Sequence, residues 1–317
     1  MLTRPKRLEP GDTIGIVAPA SAPPDPKNLD RAVPVLQKSG FRVKLAPNVR
    51  RRWGFLAGSD RERAGDLMRM FTDRRVKAIV CLRGGYGTAR LLPLLDYQAI
   101  RSNPKILVGY SDITSLHCAL LTKANLISFH GPMLNSDFVH KTMPPFTLES
   151  FVRVLSEPIV PGSISQGYRS KTIKALRHGV ARGQLIGGNL SLLCTTIGTP
   201  WQPPFRGRIL FFEDVGEQPY RFDRMLTHLL NCGLLQQVAG IAIGINQDCA
   251  DPKARRAKEY RQTLEDVLNE RLLPLKVPIV MGLPFGHVPQ NATLPVGARA
   301  LLDGNHGDLF VTEAAVS

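Results

Sequence analysis

The sequence predicts an α/β protein, with an N-terminal doubly wound parallel sheet and a C-terminal α+β part that is rich in strands. In the first half, short apolar runs alternate with segments whose apolar residues recur every three or four positions. Beyond about residue 180 strand-like runs dominate. Turn-forming Ser, Pro and Gly residues lie between this strand-rich part and the first half. We therefore expect an N-terminal domain over residues 1–155, a linker over 156–180 and a C-terminal domain over 181–317.

The sequence of the first half predicts the following strands and helices. Apolar runs predict strands over residues 13–18, 41–45, 76–82 and 105–108. A helix is expected over 28–39, bent or shortened by Pro34. Another helix begins at Ser59, which forms a capping box with Glu62. In a doubly wound sheet ligands bind beyond the carboxyl ends of the strands, where the glycine-rich turn 83–88 and Ser111 both lie.

Ser111 lies on a short turn between an apolar strand and a helical pattern. This arrangement is typical of a nucleophile elbow, which exposes the hydroxyl and turns the first helical amide toward a developing oxyanion. The match to G-x-S-x-G is incomplete, because Ile113 stands at the second glycine. Taken alone, such a serine is more often part of an ordinary turn or a helix cap.

The glycine-rich turn 83–87 does not fit a nucleotide-binding motif. Arg90 replaces the last glycine of G-x-G-x-x-G, and the chain has no G-K-[ST]. A nucleotide-dependent enzyme is therefore disfavoured. Glycines after a strand can also aim amides at an oxyanion, but a plain turn explains the segment equally well.

The second half predicts strands over 181–186, 208–212, 238–243, 277–281 and 299–302, with helices over 221–230 and about 252–271. Glu213 and Asp214 end one of these strands. A carboxylate there can orient a histidine and stabilise its protonated form. It can equally cap a turn or pair with Arg221 or Arg224.

His287 is the histidine best placed to act as a base, because prolines and glycines brace its loop after the strand near residue 281. His130 has a similar position after a strand and is its main competitor. Loop histidines more often form structural hydrogen bonds than act as bases, so the residues alone leave this choice open.

Composition fits a globular protein, with 317 residues, 43% hydrophobic and 21% charged. The five cysteines form no C-x-x-C pair or metal-ligand cluster, which favours free thiols in a reducing compartment. The first residues have no apolar core behind their charges, and no stretch approaches the roughly 18 apolar residues of a membrane span. We expect a cytoplasmic protein without membrane association.

The chain is strongly basic, since 41 Lys and Arg against 26 Asp and Glu give a net charge of +15. The basic residues are dispersed, and the densest cluster, Arg50 to Arg52, is followed by a lone Trp53 without interleaved aromatics. A solvated surface that attracts acidic substrates is the favoured interpretation, and we expect no nucleic-acid partner. A nucleic-acid binder is the alternative of another class, and steeply salt-dependent DNA binding without hydrolysis would support it.

Together these motifs resemble the LD-carboxypeptidases, a family of serine peptidases that includes the murein tetrapeptide carboxypeptidases and the microcin C immunity peptidase. The resemblance covers nearly the whole chain. It rests on segments 10–19 (PGDTIGIVAP), 83–87 (RGGYG), 109–114 (GYSDIT), 187–191 (GGNLS), 213–217 (EDVGE), 223–226 (DRML, preceded by Tyr220) and 282–287 (GLPFGH).

The resemblance implies a flavodoxin-like N-terminal domain with the nucleophile, and a C-terminal domain with the acid and base. The implied triad is Ser111, Glu213 and His287. The oxyanion is expected to bind the backbone amides of Asp112 and Gly85. We also expect substrate contacts from the three residues Gly84, Tyr86 and Asn189.

The implied activity is hydrolysis of the bond that joins the terminal D-alanine to the L-centre of the diamino acid in a murein tetrapeptide. The resemblance implies a homodimer, and neither a metal nor an organic cofactor is expected. The alternative on the same fold is a microcin-immunity-like amidase that cleaves peptidyl or aminoacyl nucleotides. That activity depends on an aromatic loop, for which Trp201 is the only tryptophan of the second domain.

Overall fold

The structure, a computed structural model, describes residues 2–139, 143–169, 172–250 and 262–317. Its strands form two sheets. In chain order they are β1 (Thr13–Val17), β2 (Arg42–Leu45), β3 (Val76–Cys81), β4 (Ile106–Gly109), β5 (Ser128–His130), β6 (Gly162–Ser163), β7 (Lys174–Arg177), β8 (Val180–Asn189), β9 (Ile209–Glu213), β10 (Gly240–Ile245), β11 (Ile279–Gly286), β12 (Leu294–Val296), β13 (Arg299–Asp303) and β14 (Asp308–Val311).

The helices lie mostly between the parallel strands. They are α1 (Asn28–Lys38), α2 (Asp60–Thr72), α3 (Tyr97–Ser102), α4 (Thr114–Ala119), α5 (Pro145–Ser156), α6 (Leu190–Thr196), α7 (Pro219–Asn231) and α8 (Leu264–Leu272). The capping box predicted at Ser59 and Glu62 is present at the start of α2. A helix is also predicted over about 252–271. Residues 252–261 lie outside the described ranges, and residues 262–271 contain most of α8. Among the described residues no helix is long and apolar enough to span a bilayer.

The first sheet has the strand order β12-β5-β4-β3-β1-β2. Strands β1 to β5 are parallel, in the flavodoxin-like order 2-1-3-4-5. The central strands are buried, as their continuous apolar runs require. Strand β12 returns from the C-terminal half and pairs antiparallel with β5. The predicted doubly wound sheet is confirmed, and the sequence did not reveal this added edge strand.

The second sheet has the order β6-β14-β13-β8-β9-β10-β11-β7. Its centre, β8 to β11, is parallel, and its outer strands are antiparallel. The α+β character expected for this half is therefore confirmed. Strands β6 and β7 lie within the segment predicted as a linker and form the two edges of this sheet. The boundaries of the two domains stay a prediction.

The parallel centre of the second sheet positions the candidate acid and base. Because β9, β10 and β11 run in the same direction, the residues that follow their carboxyl ends lie along one edge. Glu213 ends β9 and His287 follows β11 directly. The two side chains thus come from segments about seventy residues apart in the chain, and only the sheet brings them together.

Candidate active site

Ser111 occupies a strained backbone position at the start of a short 3-10 helix, Ser111–Ile113, between β4 and α4. Its φ of 63° is in the left-handed region that non-glycine residues rarely adopt. Gly109 makes the sharp turn possible, because a β-carbon there would lie 2.8 Å from Cγ1 of Ile113. This backbone is that of a nucleophile elbow, as the sequence predicts.

The glycine-rich turn lies directly against the Ser111 side chain. A β-carbon at Gly84 would lie 2.9 Å from Cβ and 3.1 Å from Oγ of Ser111. Gly85 has a φ of 102°, and the Tyr86 amide donates to Ser21 Oγ over 3.1 Å. The Tyr86 ring is half exposed beside Phe55. Of the three predicted substrate contacts, Gly84 and Tyr86 therefore lie on the turn that borders the serine.

The Asp112 side chain ties this turn to the serine. Its carboxylate is buried and accepts a hydrogen bond from the Thr88 amide over 2.8 Å. Burial raises the pKa of Asp112, since the charged form loses its hydration. The guanidinium of Arg63, also buried, donates to the Gly87 carbonyl over 2.9 Å. These bonds hold the glycine-rich turn and the elbow in one arrangement.

Glu213 and His287 form a direct hydrogen bond, in which Nδ1 of the imidazole lies 2.7 Å from Oε2 of the carboxylate. Glu213 is fully buried, whereas about a fifth of the His287 side chain is exposed, at 19%. Burial disfavours the imidazolium, but the hydrogen bond and charge of Glu213, helped by Asp214 and Asp137, raise the pKa of His287 above its usual 6.5. The arrangement holds an imidazole with one nitrogen fixed and the other free to act as a base.

The three carboxylates near the end of β9 have different hydrogen-bond or ion-pair partners. Asp214 points the other way and accepts hydrogen bonds from Asn189 Nδ2 and from the amide and hydroxyl of Ser191, at 2.8, 2.9 and 2.7 Å. Glu217 pairs with Arg221 at 3.3 Å. Of these three carboxylates, only that of Glu213 is hydrogen-bonded to the imidazole.

Asn189 joins the two halves of the site. Its backbone amide donates to Thr114 Oγ1, on the helix that follows Ser111, over 2.9 Å. Its buried side chain caps α6 through Leu192 and donates to Asp214. These bonds give the side chain a structural role, and the substrate contact predicted for Asn189 stays a prediction. Sequence reasoning did not single out Thr114 and Ser191, since neither carries a local signal of its distant partner.

The two histidines considered as the base, His130 and His287, differ in burial. His130 is fully buried, and neither ring nitrogen has a hydrogen-bond partner among the described residues. Burial lowers its pKa well below the usual value, so it is neutral. Its ring packs against Phe211 and Phe285. His130 therefore lacks the solvent access that His287 has.

The loop predicted around His287 is shorter than expected. Strand β11 continues through Gly286, because register shifts against β10 and a φ of 76° at Gly282 accommodate Pro284 within it. His287 thus stands at a strand end rather than inside an open loop. Its ring contacts the edge of Tyr110, the neighbour of Ser111, at 4.9 Å between centroids.

A cavity of about 270 Å³ opens beside His287. Tyr110, Ser136 and Asp137 line it together with the imidazole. Burial raises the pKa of Asp137 to about 7, although a hydrogen bond from the Met133 amide and the charge of His287 oppose the shift. Across the described ranges, no three His, Cys, Asp or Glu residues are grouped as metal ligands. The arrangement is suited to nucleophilic catalysis by a serine with a carboxylate-oriented base.

Sequence profiles described as the LD-carboxypeptidase N-terminal and C-terminal domains match residues 14–131 and 182–302. A probable murein peptide carboxypeptidase of Bacillus subtilis is 41% identical, covering 99% of this chain and 95% of its own. The microcin self-immunity protein MccF of Escherichia coli is 31% identical over 98% and 96%. The crystal structure of muramoyltetrapeptide carboxypeptidase from Oxalobacter formigenes superposes with a TM-score of 0.81, at 34% identity over 94% and 97%.

Proposed function

The chain belongs to the LD-carboxypeptidase family of serine peptidases, and on that premise we propose that it removes the terminal D-alanine from a murein tetrapeptide in cell-wall recycling. The observation that carries the proposal is the Glu213–His287 hydrogen bond beside the strained Ser111 turn. Two similar proteins, from Bacillus subtilis and Oxalobacter formigenes, carry murein or muramoyl peptide carboxypeptidase names.

In the proposed mechanism, Nε2 of His287 accepts the proton of Ser111 Oγ as the oxygen attacks the scissile carbonyl. Glu213 keeps the other ring nitrogen protonated and stabilises the imidazolium that forms. His287 then gives its proton to the departing D-alanine amine. Water, activated by the same imidazole, releases the acyl group from Ser111. These steps require neither a metal nor an organic cofactor.

We propose that the backbone amides of Asp112 and Gly85 bind the oxyanion. Both belong to turns that border the Ser111 side chain, and the Asp112–Thr88 hydrogen bond fixes one turn against the other. Preorganised donors of this kind pay no reorganisation cost when charge develops on the oxygen. Loss of one donor typically raises the barrier by about 2.7–4 kcal/mol.

A murein tetrapeptide carries several carboxylates, which a protein with a net charge of +15 attracts. We place the enzyme in the cytoplasm, where recycled tetrapeptides are hydrolysed, and expect it to act as a homodimer. Size-exclusion chromatography with light scattering tests the dimer directly.

Mass spectrometry of a purified murein tetrapeptide after incubation with the protein tests the proposed activity. The expected result is a product lighter by one alanine residue, with free D-alanine in equal amount. Ser111→Ala, prepared in the same way, should leave the tetrapeptide intact. An intact tetrapeptide with the wild-type protein would contradict the proposal.

The second candidate is an amidase that acts on aminoacyl or peptidyl nucleotides, favoured by the similarity to the microcin self-immunity protein. Its aromatic loop would have to come from Trp201, but that ring is partly buried and packs against the core. Competition between an aminoacyl sulfamoyl adenosine and the tetrapeptide distinguishes the two functions. Hydrolysis of the nucleotide conjugate with the tetrapeptide untouched would favour the amidase.

A further inference from the structure

A second polar cleft lies at the opposite end of β8 from the candidate active site. Arg182, Gln184, Arg208 and Arg299 line a cavity of about 350 Å³ there. Gln184 is five residues before Asn189, so the cleft lies about 17 Å along the strand from the triad, at about 3.3 Å per residue. The carboxypeptidase mechanism uses none of these residues.

The sheet register places the four side chains on one face. Gln184 pairs directly with Arg299 of β13, so their side chains point the same way. Arg182 is two positions from Gln184 and therefore shares its face. Arg208 immediately precedes Ile209, which pairs with Leu185 on the other side of β8. Three guanidinium groups from three adjacent segments thus converge on one cavity.

The three guanidinium groups have no counter-ions within the described part of the chain. None of them forms an ion pair with any carboxylate in the ranges that the structure describes, and the Arg208 Nε is buried without a hydrogen-bond partner. The Glu313 carboxylate accepts the Arg299 backbone amide over 2.8 Å and is paired with Arg4 at 2.7 Å. A guanidinium presents a planar fork of donors that matches phosphate oxygens.

The cleft also has an apolar end. A neighbouring cavity of about 310 Å³ shares Gln184 and Arg208 with it. Leu2, Leu121 and Ile186 line that part, and Ile186 follows Gln184 by two positions on the same face of β8. A cationic compartment thus adjoins a partly apolar one.

We propose that this cleft binds a small ligand that carries two or more phosphate groups and a planar or apolar group, the chemistry of a nucleoside diphosphate. The guanidinium groups bind the phosphates, and the apolar compartment receives the rest of the ligand. The site is separate from the proposed carboxypeptidase site, so its test needs no turnover.

Isothermal titration calorimetry with inorganic pyrophosphate and with ADP, at about physiological salt, tests the proposal. We expect both probes to bind one site per chain, and ADP to bind more tightly because it also fills the apolar compartment. Arg208→Gln, Arg182→Gln and Arg299→Gln should each weaken both by about tenfold or more, since each removes a charge-assisted contact. Thermal melting shows whether each variant is folded.

Arg74→Gln is the matched control, because it removes one exposed positive charge elsewhere on the surface. It should bind both probes like the wild type. Absence of saturable binding, or an equal loss in all four variants, would overturn the proposal and attribute any binding to the general basic charge. Equal affinities for ADP and pyrophosphate would overturn the assignment of the apolar compartment.

Discussion

The two halves of the candidate active site are built in different ways. The Ser111 turn is local, because strand β4, the turn and the first helical residues follow one another within a few positions. The Glu213–His287 pair is assembled across the second sheet from residues seventy-four positions apart. The first half depends on backbone conformation, and the second on side-chain hydrogen bonds and burial.

The two halves are therefore sensitive to different kinds of substitution. The elbow needs its glycines and its left-handed serine, but the serine hydroxyl accepts and donates no hydrogen bond among the described residues. The acid–base half instead depends on a buried carboxylate, that of Glu213. Two neighbouring carboxylates, those of Asp214 and Glu217, have other partners. Substitutions of the nucleophile should therefore lower turnover alone. Substitutions of the carboxylates should lower turnover at one position and the stability of the fold at another.

The largest expected effect is that of Ser111→Ala. Removal of the nucleophile should lower kcat by about 10³-fold or more, as for other serine peptidases. The melting temperature should stay nearly unchanged, because Oγ has no hydrogen-bond partner in the described ranges and alanine tolerates the same φ about as well as serine. Steady-state kinetics and thermal melting check both outcomes. Near-wild-type turnover would exclude Ser111 as the nucleophile.

The next effect separates the carboxylates. Glu213→Gln should lower kcat by at least about 10², because an amide cannot stabilise the imidazolium and favours the wrong tautomer. Asp214→Asn should lower kcat less, but reduce the melting temperature by a few degrees, since it loses part of a buried hydrogen-bond network worth about 1–3 kcal/mol. Glu217→Gln, the matched control whose partly buried carboxylate pairs with Arg221 and not with His287, should change both least.

Kinetics and melting on the three variants decide the assignment. A dead Glu217→Gln enzyme beside a nearly normal Glu213→Gln enzyme would show that the triad carboxylate is assigned one turn of chain too early. An Asp214→Asn enzyme that melts normally would contradict the structural role given to Asp214.

A change of charge near His287 should have a smaller effect, a shift in the pH dependence of turnover. Turnover needs neutral His287, so the rate should fall as pH drops through a pKa above 6.5. Asp137→Asn removes one of the charges that raise this pKa and should move the acid limb to lower pH, while the Glu213 hydrogen bond remains. The pH profile of kcat/KM for the wild type and this variant measures the shift. A shift to higher pH would contradict the electrostatic account.

The smallest expected effect is that of chelation. Neither half of the site offers a metal-ligand cluster among the described residues, so prolonged EDTA treatment should leave the rate unaltered. Activity assays before and after dialysis provide the check. A large loss that zinc restores would instead indicate a metal site near His130.

Local signals predicted local structure well. The capping box at Ser59, the positions of the strands predicted in the first half and the turn at Ser111 all rest on residues close in sequence, and all are present. The strained φ of Ser111 follows from the same short stretch. These features were predictable because neighbouring residues alone determine them.

Non-local features were not predictable in the same way. Sequence periodicity could not place β12 in the first sheet, since its partner lies more than 160 residues earlier. Nor could it show that Asn189 is bonded to Asp214, or that bulges extend β11 to Gly286 despite Pro284. The choice of Glu213 over Asp214 depended on family resemblance, because both carboxylates follow the same apolar strand.

Strand β12 also has a consequence for synthesis on the ribosome. Strand β5 is the outer parallel strand of the first sheet, and among the described residues Leu294–Val296 is the strand that covers its free edge. During translation that edge therefore stays open until nearly the whole chain has emerged. An uncovered strand edge is a template for intermolecular pairing. A fragment that ends near residue 155 should consequently aggregate, and a nascent chain paused there should require a chaperone.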